Sequence, residues 1–125
     1  MWLMRRDEFL DEVRRRGGLE TRAEAELAVR ATLQALGPHL SEPIADNLAA
    51  LLPRDIGESL RSDGAPDDFI ADLSRRAGVP AERAETLAAV VLGVVDDATD
   101  GTARAHLLPT VPGVPEPQSR YGPHP

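Results

Sequence analysis

The chain has no cysteine, and all 14 of its basic residues are arginine, so lysine is absent as well. Without cysteine there can be no disulfide, no thiolate zinc site and no cysteine nucleophile. Without lysine no phosphate-binding loop of the usual kind can form, and the glycine-rich segments read instead as helix stops. The all-Arg usage, alongside many Ala and Pro residues, reads as GC-rich codon usage rather than as 14 chosen guanidinium sites. Aromatic residues make up only 3% of the chain, so a core must be assembled from Leu, Val, Ile and Ala, a composition that suits helices. No apolar run approaches the ~20 residues of a membrane span, and Met1 to Arg6 has no apolar signal core. A cytoplasmic protein without membrane contact is expected. A net charge of −7 argues against the basic face that nucleic-acid binding requires, so no nucleic-acid partner is expected.

What the chain does have is a repeat. Asp7-Glu8-Phe9-Leu10-Asp11-Glu12-Val13-Arg14-Arg15-Arg16-Gly17-Gly18-Leu19 returns as Asp67-Asp68-Phe69-Ile70-Ala71-Asp72-Leu73-Ser74-Arg75-Arg76-Ala77-Gly78-Val79. The only two Phe residues, Phe9 and Phe69, hold equivalent places. At 125 residues the chain is one domain, or two small halves sharing one core.

The periodicity predicts a first helix from about Asp7 to Arg16, with acids early and Arg late to complement the dipole and Gly17-Gly18 as its stop. A second helix opens with the capping box Thr21-Arg22-Ala23-Glu24 and carries the stripe Ala25, Ala28, Val29, Thr32, Leu33 and Leu36 until Gly37-Pro38. Ser41 is the expected cap of a third, with Ile44, Leu48, Leu51 and Leu52 inward. A connector over 54–66 includes a short helix around Ile56 and Leu60. Asp67 then caps a fourth helix with Phe69, Ile70 and Leu73, ending at Gly78. A fifth follows Pro80 with Ala84, Leu87, Ala88, Val91, Leu92 and Val95, the strongest apolar stripe in the chain. Asp100 is the expected cap of a weaker sixth helix, which Pro109 ends early or kinks.

After one deletion in the first loop the halves stay in register at a spacing of 59, with Leu33 against Leu92 and Leu48 against Leu107. The expected fold is all-α. Two pseudo-symmetric halves, each helix, long helix, short helix, pack about a pseudo-two-fold axis with both Phe residues in the shared core. The halves span about 7–53 and 67–112. Neither is large enough to be secure alone. From Pro109 onward lie six of the 11 prolines, and 113–125 reads as an extended tail.

The pattern Asp7-Glu8-Phe9-Leu10, Val13, Arg16, Gly18, then Ala25 to Leu36, then Asp46, Leu48, Leu52 and Pro53 resembles the bacterial "domain of unknown function 2267" family. The same elements recur at Asp67 to Ile70, Leu73, Arg76, Gly78, Ala84 to Val95, Leu107, Val111 and Pro112, so the resemblance covers about residues 5 to 112. It implies a small duplicated all-helical domain. It transfers no catalytic residues, because the family carries no established activity. The match departs in the sixth helix, where His106 stands against Asn47 and Pro109 against Ala50.

No constellation identifies a reaction. Asp96 to Gly101 lacks the ligand pattern of a calcium loop, with Ala98 at position three and Leu107 at twelve, and reads as a helix end followed by a cap. His39, His106 and His124 have no partner at a helical metal spacing. No Ser stands in a Gly-x-Ser-x-Gly elbow. No metal and no cofactor are expected. Arg15 and Arg16 with Arg75 and Arg76 form a repeated cluster able to bind an anion between the halves. The plainer role of such residues, pairing with nearby acids at a helix C-terminus, is the one the residues favour. The expected function is a non-enzymatic protein-interaction module with an unidentified protein partner. Its contact element is the tail at Pro115, Pro117, Tyr121 and Pro123. A regulatory module binding an anionic small molecule is the alternative. A homodimer is expected if the sixth helix leaves Leu107, Leu108 and Val111 exposed.

Overall fold

Apolar stripes punctuated by Gly and Pro become seven α-helices in a computed structural model that describes residues 4–61, 68–107, 111 and 113–115. They are α1 (Arg6–Gly17), α2 (Arg22–Leu36), α3 (Glu42–Ala50), α4 (Arg54–Glu58), α5 (Phe69–Ala77), α6 (Ala81–Ala98) and α7 (Thr102–Leu107). Short 3-10 turns follow α2 at Gly37–His39 and α4 at Ser59–Arg61. No strand occurs among the described residues.

The first helix of each half ends the same way. Gly18 takes φ +63° after α1 and Gly78 takes φ +69° after α5, the left-handed region that glycine enters without a Cβ penalty. The next residue closes the turn: the Leu19 amide donates to the Arg14 carbonyl at 2.9 Å, and the Val79 amide to the Ser74 carbonyl at 3.1 Å. At the start of α2, Thr21 Oγ1 accepts from the Glu24 amide at 3.1 Å, as its capping motif predicts.

Three expected caps differ. At α5 the cap is Asp68, whose Oδ1 accepts from the Ala71 amide at 3.0 Å; Asp67 lies outside the described residues. Ser41 holds the N-cap place of α3 without a side-chain bond, and Pro43 in the first turn removes one of the amides needing a partner. Asp100 does not cap α7. It adopts φ +52°, and the first-turn amides go elsewhere: Ala103 to Thr99 Oγ1 at 3.2 Å and Arg104 to Asp96 Oδ1 at 2.8 Å. The tight α6–α7 corner turns those two side chains inward, where they serve as the cap.

The packing interleaves the halves. α1 lies against both α2 and α6, α5 lies against both α6 and α2, and the two long helices touch each other. Phe9 and Phe69 are 0% and 1% exposed, each on a helix held between both long ones. α6 is buried residue by residue from Leu87 to Ala98, so its stripe widens to the whole circumference. α3 buries Ala45, Leu48 and Ala49, while Ile44 and Leu51 are only half-buried. α4 packs beside it so closely that a Cβ on Gly57 would stand 2.6 Å from the Ala49 carbonyl oxygen.

Val111 is buried in the core, with Val114 packed against it. An exposed apolar patch that includes Val111 therefore does not form. Leu108 and Pro109 lie outside the described residues.

Candidate functional site

The interleaved packing leaves an open groove where the N-terminal halves of α2 and α6 meet the turns after α1 and α5. Its lining follows the repeat. Leu19 is there with its equivalent Val79, Glu24 with Arg83, and Ala28 with Leu87; Leu27 and Ala77 complete it, around a volume of about 140 Å³. Both members of three equivalent pairs thus line one groove, where corresponding parts of the two halves meet. The reason is local. α2 and α6 turn their apolar stripes toward the core from Ala25 and Ala84 inward, and their first turns stand around the two Gly-ended loops.

Equivalent positions here are not identical. Leu27 is 42% exposed, the one large apolar side chain left exposed among the described residues, whereas its counterpart is Thr86. Thr86 Oγ1 is turned back to the Glu82 carbonyl at 3.3 Å. Glu24 and Arg83 carry opposite charges. Neither is in an ion pair among the described residues, and the half-buried Arg83 is steadied by Nη2 donating to the Gly17 carbonyl at 3.2 Å. Single apolar residues scattered on a surface normally carry no meaning. Leu27 stands on the wall of this apolar groove, with the two opposite charges also in its lining.

The repeated Arg residues occupy the last turns of α1 and α5 and are engaged with carboxylates. Arg15 and Arg16 share Glu12, the Arg16 Nε donating to it at 3.0 Å, and Arg16 Nη2 reaches Asp97 Oδ2 at the end of α6 at 2.7 Å. Arg75 and Arg76 share the buried Asp72; Arg76 Nε lies 3.1 Å from both its oxygens, and Nη1 reaches Gln34 at 3.4 Å. The structure thus joins the members of each cluster through one acid and leads the clusters to different long helices. Helix-terminal Arg residues held by acids are the plainer of the two roles the spacing allows.

A second cleft of about 160 Å³ lies among Arg6, Leu10, Val29, Asp55 and Ile56. Arg6 donates to Asp55 and, at 3.1 Å, to Glu26. Those two bonds, Asp55 first, raise the guanidinium above its usual range and keep it charged. The cleft is bridged by its own ion pairs.

Of the expected tail contacts, Pro115 is half-buried beside Val114, and Pro117, Tyr121 and Pro123 lie outside the described residues. Among the described residues no group of three or more His, Asp or Glu side chains is placed to hold a metal ion. No described helix is long and apolar enough to cross a membrane. Periodicity alone does not reveal the groove. Leu27 against Thr86 and Glu24 against Arg83 are two of several unlike pairs along these helices, with Ala28 against Leu87 and Arg30 against Ala89, so the sequence does not single them out.

Comparison with known families matches the chain to the one described as "Uncharacterized conserved protein (DUF2267)", over residues 6–114. A search of curated proteins finds no match to the chain.

Proposed function

This chain belongs to the DUF2267 family of uncharacterised conserved proteins, and we propose that it is a non-enzymatic protein-interaction module whose docking surface is the groove between α2 and α6. The observation that carries this reading is Leu27, exposed on an apolar wall beside Glu24 and Arg83. A partner segment that covers Leu27 gains the free energy of removing that side chain from water, while the two charges set its orientation. The half-buried Pro115, with Pro117, Tyr121 and Pro123 beyond it in sequence, is a second contact element of extended type.

The alternative, an anionic small molecule held by Arg15, Arg16, Arg75 and Arg76, requires that the anion displace Glu12 and Asp97 from Arg16 and Asp72 from Arg76. Charge-assisted bonds to carboxylates are among the stronger contacts a surface offers, so the groove is the better-supported site.

A photo-crosslinking residue at position 27, with a control at the exposed Ala50 on α3, tests the reading in cells. Discrete protein adducts from position 27 and none from position 50 are expected. No adduct from position 27 overturns the groove as a contact surface. A chain ending after Pro115, carrying the same probe, assigns any adduct lost on truncation to the tail.

A further inference from the structure

We infer that the occupant of this groove is a second copy of the same chain, related by a two-fold axis perpendicular to the internal one. This rests on the reading of the groove as a docking surface. Both members of three equivalent pairs line the groove, so the first turns of α2 and α6 flank it as counterparts. A perpendicular two-fold, set across the line that joins Glu24 to Arg83, lays α2 of each copy over α6 of the other. Position 24 then meets position 83, and position 27 meets position 86.

The residues at those positions are complementary in both charge and size. Glu24 meets Arg83 of the second copy, and Leu27 meets its Thr86, each contact made twice by one symmetry operation. Within a single chain these same residues are mismatched: one large side chain against one small, one acid against one base, with neither charge ion-paired among the described residues. Glu24, Leu27 and Arg83 line the groove itself, and Thr86 stands beside its Leu87 in sequence.

Arg83 is also pre-positioned. Its bond to the Gly17 carbonyl holds the guanidinium at the rim, which lowers the ordering cost of pairing. The groove is small, so the association is of the weak, transient class. The charged pairs at the rim contribute mainly register, and the apolar contacts of Leu27 contribute most of the affinity.

The test is sedimentation velocity on the full chain over about 5–500 μM, near 0.15 M salt where long-range repulsion between acidic copies is screened. The wild-type chain is expected to shift from monomer to dimer across this range. Glu24→Arg alone and Arg83→Glu alone are each expected to weaken association roughly tenfold or more, as loss of a specific ion pair and its replacement by like charges should. An equimolar mixture of the two variants is expected to restore it, because in the mixed dimer both contacts, 24 against 83 and 83 against 24, set an arginine of one copy against a glutamate of the other. A second test is the double variant Glu24→Arg with Arg83→Glu, in which both pairs are reversed within every copy. That chain is expected to recover the wild-type association with itself. Leu27→Glu, at an exposed position that leaves the fold intact, is expected to abolish the dimer.

A wild-type chain that stays monomeric to the top of that concentration range overturns the inference. So does a dimer indifferent to Leu27→Glu, or a charge-reversed double variant that associates no better than the single ones. Should Arg83→Glu unfold through loss of its Gly17 bond, Glu24→Arg and Leu27→Glu decide the matter by themselves, since both must lose association. A monomeric chain that still forms position-27 adducts with a different protein overturns this inference and leaves the docking surface standing. Absence of any adduct removes both.

Discussion

Arg16 Nη2 donates to Asp97 Oδ2 at 2.7 Å, tying the end of α1 to the end of α6 across 81 residues of chain. The bond has no copy in the other half. Asp97 aligns with Pro38, and the equivalent Arg76 reaches Gln34 on α2 instead. The duplicated scaffold is therefore symmetric in its apolar packing and asymmetric in its polar fastening. Asp97 is buried, so losing Arg16 leaves a carboxylate without that partner inside the bundle. Arg16→Ala is expected to cost about 1–3 kcal/mol in urea unfolding. Arg15→Ala, at an exposed helix position, is expected to cost no more than about 0.5 kcal/mol. Equal costs would show that the link between the two helices carries no special weight.

Gly57 is required by space rather than by dihedral angle. Its backbone is helical, but an added methyl would meet the Ala49 carbonyl oxygen at 2.6 Å and the Ala49 Cα at 3.0 Å. Backbone atoms cannot rotate aside as a side chain can. Gly57→Ala is expected to push α4 from α3 and destabilise by about 1–3 kcal/mol, against the usual gain of replacing a helical glycine. Thermal unfolding checks the sign: a raised melting temperature would mean that α4 shifts freely.

At the α6–α7 corner the buried Thr99 hydroxyl donates to the Val95 carbonyl at 2.9 Å and accepts from the Ala103 amide at 3.2 Å. Thr99→Val keeps the shape and removes these bonds, together with the hydroxyl's longer contact to the Asp96 carbonyl at 3.3 Å, leaving the buried Ala103 amide without its Thr99 partner. A loss of about 1–3 kcal/mol is expected. Asp100→Gly is expected to cost less than Thr99→Val, since glycine adopts the φ of +52° more readily than any side-chain-bearing residue. The reverse order, read by denaturant titration, would return the capping role to Asp100.

Phe9 and Phe69 are both buried on helices that touch α2 and α6, so each half contributes to the floor of the other. Phe9→Ala and Phe69→Ala are expected to cost about 3–5 kcal/mol each. A chain ending at Arg61 retains α1 but loses α6, against which α1 packs, and is expected to show no cooperative thermal transition by circular dichroism. A cooperative transition in that fragment would show that one half folds alone.

Much of this architecture is written in local pattern. The stops at Gly18 and Gly78, the Thr21 cap and the buried stripe of α2 all follow from interactions within one or two turns of the chain, which depend on neighbours in sequence. The displaced cap of α7 is not legible there, because Asp96 and Thr99 become caps only when the corner folds them back over amides four to eight residues ahead. The anion-binding role considered for Arg16 and Arg76 turns on partners that spacing cannot supply, since Asp97 and Gln34 lie on other helices.

Helix identity, most helix ends, the duplication and the burial of both Phe residues need nothing beyond the order of the residues, because side chains three and four apart share a face. Which helices pair across the halves, and with that the groove at Leu27, Glu24 and Arg83, is decided only when the whole chain packs. Hydrophobic burial is non-directional and requires that a stripe be covered without naming its cover, so only packing in three dimensions selects the partner.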